Sequence, residues 1–174
     1  GTIQGLCEVL NIPYVGPGVL GSAVGMDKEV MKRLLEQAGV AVAKWMTAYR
    51  YKGIHPTYQD AEQNLGRVLF VKPARMGSSV GVSRVTNEAE YEEALRNAFL
   101  YDSKVLIEEA IVGRELECAV LGNEYREASV VGEVIPHQHH SFYSYEAKYR
   151  DVNGAKISIP AEVDQATMEA AQEL

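Results

Sequence analysis

Cysteine is scarce in this chain of 174 residues: only Cys7 and Cys118 occur, each within an apolar segment. They read as buried thiols rather than a disulfide, which suits a reducing cytoplasm. Basic charge is also short. Lys and Arg number 17 against 24 Asp and Glu, for a net charge of -7. Nonspecific attachment to nucleic acid or to an anionic membrane is thereby disfavoured, although a local basic site for a nucleotide remains open. No apolar run approaches the roughly 20 residues of a membrane span, and no stretch reads as a signal peptide. Internal repeats and low-complexity tracts are missing too. What is left is ordinary globular composition, 47% hydrophobic and 24% charged. The length fits one domain or two small lobes with a real core.

The chain is organised around Val68–Val85, VLFVKPARMGSSVGVSRV. Val68–Val71 reads as a buried strand, closed by Lys72 and stopped by Pro73, which cannot donate to a ladder. Gly77-Ser78-Ser79-Val80-Gly81 then leads into a second strand at Val82–Val85. A loop of small residues lets backbone N–H groups and two hydroxyls approach an anion closely. It equally suits a plain hairpin turn. It is not a P-loop, because no lysine follows its second glycine.

Elsewhere the spacing predicts helices at Thr2–Leu10, with Thr2 as N-cap, and at Asp27–Ala38, with Asp27 as N-cap and Gly39 as the stop. In the second, Met26, Val30, Met31, Leu34, Leu35 and Ala38 form an apolar stripe expected to be core. Lys28 lies in its first turn, where a cation opposes the helix dipole; it is either solvated or facing a bound anion. A strand is expected at Trp45–Tyr49, a short polar helix at Thr57–Gly66, and a solvated His55 between them. Asn87–Tyr101 is a helix with an N-x-x-E capping box, and its acidic 88–93 run is a solvated face. Lys104–Ile107 is a strand closed by Glu108-Glu109. Arg114–Leu121 and Glu127–Val134 form a hairpin around Gly122-Asn123. Residues 136–154 have no clear period and are long enough to be a lid. His137, His139 and His140 within it lack the spacing and companions of a metal site. Lys156–Ile159 is a short strand. Both chain ends fall inside helical patterns, which gives the expectation of a fragment of a longer protein.

In order, Lys72, the glycine loop, Glu108-Glu109, Glu115 and Lys148-Tyr149 form a set that could cradle a triphosphate, hold a nucleoside and exclude water. The segments VKPARMGSSVGVS, LIEEAIVGRELE and FYSYEAKY resemble the D-alanine–D-alanine ligase family of ATP-grasp carboxylate–amine ligases, and Gly1–Lys28 is similar to that family's interdomain segment. The resemblance implies an α+β ATP-grasp fold with ATP between two lobes. Residues 1–17 would be the tail of an N-terminal domain, 18–108 the central lobe, and 109–174 a partial C-terminal lobe.

It further implies phosphate contacts from Lys28, Lys72, Gly77, Ser79, Gly81 and Lys148, adenine contacts at Glu108, Glu109 and Ile111, and a ribose contact at Glu115. The family more often has lysine where Glu109 stands, which leaves the backbone as the expected contact there. Ser78 and Tyr149 would join the glycine loop to the lid and orient the first D-alanine. The implied partners are ATP, Mg2+ and two D-alanine molecules, in a homodimer serving peptidoglycan synthesis. Metal ligands are expected beyond Leu174, so the fragment alone is expected to be inactive. Related ligases that use D-serine or D-lactate, and a nucleotide-binding module without catalysis, are the alternatives; Tyr149 favours D-alanine as acceptor over D-lactate.

Overall fold

The computed structural model describes residues 1–53, 55–137 and 142–174. The chain divides into two compact units, Gly1–Ile111 and Val112–Leu174.

In the first unit, four antiparallel strands, β1 (Trp45–Tyr49), β2 (Leu69–Pro73), β3 (Ser83–Val85) and β4 (Lys104–Glu109), lie in the order β1-β4-β2-β3. Strand alternation gives the sheet two unlike faces. Ala48, Leu69, Val71, Val85, Val105 and Ile107 point one way, into a core completed by α4 (Tyr58–Leu65) and α5 (Glu88–Tyr101) through Ala61, Leu65, Tyr91, Ala94, Leu95 and Ala98. Each large aliphatic side chain buried there contributes about 1.5–3 kcal/mol. The two phenols in this core are satisfied at its edge: Tyr91 donates to the Pro56 carbonyl (2.7 Å) and Tyr58 to that of Thr86 (3.0 Å). The opposite face carries Lys72, Lys104, Glu108 and Phe70 around the fully buried Leu106.

Both core helices lie where the sequence predicts, but the capping box falls on α4 instead of α5. Thr57 and Asp60 form a reciprocal capping box on α4. Asn87 caps α5 by accepting from the Glu90 N–H, while the Glu90 carboxylate accepts from the Thr86 N–H rather than completing the box with Asn87. His55 is exposed, edge-on to Phe99.

Several expectations are corrected. Strand β2 runs through Lys72 and Pro73 rather than ending at Lys72. Proline is tolerated because the Ala74 N–H donates to β4, at the Lys104 carbonyl. By alternation, the N–H that Pro73 lacks would face the β3 side, where pairing has ended at Val71–Ser83. Helix α1 (Thr2–Val9) is capped by Gly1, and Thr2 is its first helical residue with no side-chain cap. After α2 (Val19–Met26), helix α3 (Lys28–Gln37) starts at Asp27, whose carboxylate accepts from the Val30 N–H. Its apolar stripe is not core: Met26, Val30 and Leu34 are exposed, and the residues buried are Glu29 and Lys32. The reason is the sheet beneath, whose polar face attracts charge. Cys7 and Cys118 are free, as expected, but half-buried rather than buried.

In the second unit the predicted hairpin is present in two pieces. Strand β5 (Glu115–Glu117) pairs with β8 (Gly132–Pro136), and β6 (Val120–Gly122) with β7 (Arg126–Ala128). Between them two residues, 118 and 119, oppose three, 129–131, so the ladder slips by one position as at a β-bulge. Ser129 bridges the slip, its hydroxyl accepting from the Ala119 N–H. At the turn Gly122 has φ +125°, and a Cβ there would meet the Tyr125 carbonyl oxygen at 1.9 Å. Strand β9 (Ala155–Ser158) completes the sheet beside β8. The expected lid contains a one-turn helix, α6 (Tyr145–Tyr149), capped by Ser144. His137 is exposed, whereas His139 and His140 lie outside the described residues. Helix α7 (Gln165–Glu173) is capped by Asp164.

Candidate functional site

In the first unit the polar sheet face brings together Lys72 and Glu108, and α3 sets Lys28 and Lys32 beside them. Lys72, on β2, donates to a Glu108 carboxylate oxygen at 2.5 Å. Glu108, on β4, is almost fully buried, and its other oxygen lies 3.3 Å from the ammonium of Lys32. That second oxygen receives no well-directed hydrogen bond, so the Lys32 contact there is an ion pair of charge rather than of aligned dipoles. Lys28 begins α3 and directs its ammonium to the Pro73 (3.4 Å), Ala74 (3.3 Å) and Met76 (2.5 Å) carbonyls at the base of the glycine loop. Burial, then the neighbouring charge of Lys72, pushes the Lys28 pKa below its ordinary value. Two ammonium groups, of Lys32 and Lys72, thus face one carboxylate, and Lys28 lies near enough to feel the charges of Lys72 and Glu108. The cluster carries excess positive charge in a poorly solvated place, which favours a polyanion.

The loop adds backbone donors. Ser78 and Ser79 have φ +54° and +59°, and Gly81 has φ +71°. Val80 N–H closes the first turn on the Gly77 carbonyl (3.0 Å). Left-handed backbone at two serines costs about 1–2 kcal/mol each, and such strain gathers at ligand-holding loops. Gly77 is exposed, while Gly81 packs against Pro73 and Tyr101.

The base of this loop is fixed by a pair that sequence reasoning missed. Asp102, at the end of α5, accepts from the Arg75 N–H (2.8 Å) and Nε (3.1 Å), from its Nη2, and from the Lys104 N–H (3.1 Å). Also missed is the anchor of α3. The Lys104 ammonium lies 2.6 Å from Asp27 and 2.9 Å from Glu29, and Glu29 also accepts from Tyr49 and Arg33. Burial alone would raise the Glu29 carboxyl, but the hydrogen bonds from Lys104, Arg33 and Tyr49 outweigh it and hold its pKa low. One signal was available: Lys28, Glu29, Lys32 and Arg33 recur at helical spacing and form a charged stripe as regular as the apolar one.

The adenine-linker residues have distinct settings. The Glu109 carboxylate accepts from the Lys44 N–H at 2.7 Å, and the Glu109 N–H donates to the Lys44 carbonyl. Its side chain is therefore engaged with the protein's own backbone. Ile111 is exposed at the end of the first unit.

The second unit carries Glu115 on β5 and Lys148 and Tyr149 on α6. Partial shielding of the Glu115 carboxyl raises its pKa, against the opposing pull of the Lys148 charge. The Lys148 ammonium sits 4.8 Å from the centre of the Tyr143 ring, and Tyr149, largely exposed, lies 5.0 Å ring to ring from Tyr145. Among the described residues, no three His, Cys, Asp or Glu side chains come together to hold a metal.

The family model for the D-ala D-ala ligase C-terminus matches residues 34–174. The chain belongs to this family. It is 51% identical over 95% of its length to a D-alanine–D-alanine ligase of Proteus mirabilis, and 52% identical over 95% to one of Shouchella clausii. These alignments cover 45% and 44% of the relatives, so the chain spans about half the length of the curated ligases it matches. Among solved structures it is similar to the VanG D-Ala:D-Ser ligase of Enterococcus faecalis, with TM-score 0.85 and 37% identity over 99% of this chain and 49% of that one. The D-alanine–D-alanine ligase of Coxiella burnetii gives TM-score 0.73 and 43% identity over 78% of this chain and 40% of that one. The expected α+β, ATP-grasp fold class of this ligase family is borne out.

Proposed function

We propose that the whole protein joins two D-alanine molecules into D-alanyl-D-alanine with consumption of ATP, for peptidoglycan precursors in the cytoplasm, and that it works as a homodimer. The observation that carries this is the positively charged cluster of Lys28, Lys32, Lys72 and Glu108 beside a strained loop, in a chain about half identical to ligases of that name.

The donor set suits a nucleoside triphosphate. Lys28 and Lys72 neutralise phosphate oxygens, and the N–H groups of Gly77, Ser79 and Gly81 donate to them. Glu108, Glu109 and Ile111 hold the base, Glu109 through its backbone, Glu115 holds the ribose, and Lys148 adds a third ammonium from the lid. Ser78 and Tyr149 orient the first D-alanine. Its carboxylate attacks the γ-phosphorus, the bond to the bridging oxygen breaks, and ADP leaves. The amine of the second D-alanine then attacks the acyl phosphate carbonyl. Phosphate departs with the C–O electrons, the amine gives up a proton, and the dipeptide is complete. The described residues do not supply a magnesium site. For that reason the 174 residues alone are proposed to be inactive.

The test is ADP release by the full-length protein with D-alanine alone and with added D-serine or D-lactate, the product identified by mass. Dominant D-alanyl-D-alanine supports the proposal. A mixed product with D-serine supports the second reading, which the likeness to the VanG ligase favours. No stimulation by any of the three refutes ligation and leaves a nucleotide-binding module.

A further inference from the structure

Lys32 is a buried ammonium to which the proposed reaction gives no task. It donates to the Ala43 carbonyl at 2.8 Å, lies 5.3 Å from the centre of the Trp45 ring, and faces Glu108 at 3.3 Å. Its side chain and that of Glu108 are only 9% and 8% exposed, whereas Lys72 is 22% exposed. The two lysines divide the carboxylate between them, Lys32 on one oxygen and Lys72 on the other.

This division matters when an anion arrives. A phosphate competes with Glu108 for the Lys72 ammonium. Were Lys72 the only counter-ion, every move toward phosphate would leave a buried carboxylate unpaired, a state strongly disfavoured in a poorly solvated site. Lys32 has no such freedom, because a carbonyl, a ring and a carboxylate hold it and it is hardly accessible. We propose that Lys32 is a positioning residue, the permanent counter-ion of Glu108 that frees Lys72 to bind nucleotide phosphate. The inference rests on the nucleotide reading of Lys72 above.

The experiment uses the full-length protein and follows ADP release against ATP and against D-alanine for Lys32→Met, Lys32→Gln and Lys32→Arg. Glutamine keeps a donor for the Ala43 carbonyl but no charge. Methionine and glutamine are both expected to raise the KM for ATP about tenfold or more, with the KM for D-alanine within about twofold and arginine restoring most of the loss. In a Glu108→Gln background, Lys32→Gln should add nothing further, since the charge it balances is gone. A normal KM for ATP in Lys32→Gln overturns the proposal, as do effects of Lys32→Gln and Glu108→Gln that simply multiply. An equal rise in both KM values that arginine does not rescue also overturns it, and marks Lys32 as structural. Lys72→Ala separates the two levels. If it raises the KM for ATP while Lys32→Gln does not, only the role of Lys32 falls. If Lys72→Ala has no effect, the nucleotide reading falls and takes the inference with it.

Discussion

Replacing Asp102 tests how the base of the glycine loop is held. The carboxylate is 7% exposed and accepts from two backbone N–H groups, of Arg75 and Lys104, and from the Arg75 guanidinium. In Asp102→Ala both N–H groups lose their acceptor, at about 1–3 kcal/mol each when buried. The guanidinium is half exposed and recovers its hydration, so it adds little. The expected loss is about 3 kcal/mol, or roughly 13 °C in Tm for a unit of this size. Trp45 is the sole tryptophan and lies in the same unit, so its fluorescence in urea reports that unit's unfolding. The midpoint should fall with no change in slope. The pH dependence gives a second readout. Burial favours a higher Asp102 pKa, but the hydrogen bonds from Arg75 and Lys104 prevail and hold it below its ordinary 3.8. A depressed carboxyl stabilises above the unfolded value and loses that contribution as pH falls through the folded one. The gap between wild type and Asp102→Asn should therefore be flat at neutral pH and close below about pH 4. A loss under about 1 kcal/mol for the alanine variant, or a gap unchanged at low pH, refutes the reasoning.

Gly81→Ala should destabilise the first unit by about 2 kcal/mol in the same urea assay, because its φ of +71° disfavours a Cβ and that Cβ would sit 2.8 Å from the Tyr101 ring. Gly122→Ala should open the β6–β7 hairpin at a cost of about 3 kcal/mol, seen as faster amide exchange at residues 120–128, since no shift short of moving the Tyr125 carbonyl makes room. Tyr149→Phe in the full-length protein should raise the KM for D-alanine severalfold if the phenol orients the first substrate; an unchanged KM removes that role.

Local chemistry was the legible part. Asp27, Asn87 and Gly39 mark helix ends because a side-chain oxygen or a left-handed backbone satisfies groups a helix leaves open, and the sequence alone states that need. The strand expected at Trp45–Tyr49 is found over those residues. The order lysine, glycine loop, glutamate pair, lid lysine could be read from the sequence as a candidate site, and of it Lys72 and Glu108 share one sheet face while the Glu109 carboxylate turns to the Lys44 backbone. Pairings between distant residues were not legible. Asp102 with Arg75, Lys104 with Asp27, and Glu109 with the Lys44 backbone each join segments whose proximity is decided only by the strand order β1-β4-β2-β3.

Helix α3 shows why a regular apolar stripe can mislead. Periodicity says which residues share a face, but it does not say which face meets the protein. The sheet resolves that choice. Its α4–α5 side is filled by aliphatic residues, and its other side offers Lys72, Lys104 and Glu108. Packing the Val30–Leu34 stripe onto those charges would strip their water without replacing it, whereas Glu29 and Lys32 supply counter-charges in place. The helix therefore turns its charged stripe inward. The same rotation brings Lys28 over the loop carbonyls and Lys32 onto Glu108. The feature that contradicts the simple reading of α3 is thus the one that brings Lys28 and Lys32 to the candidate site.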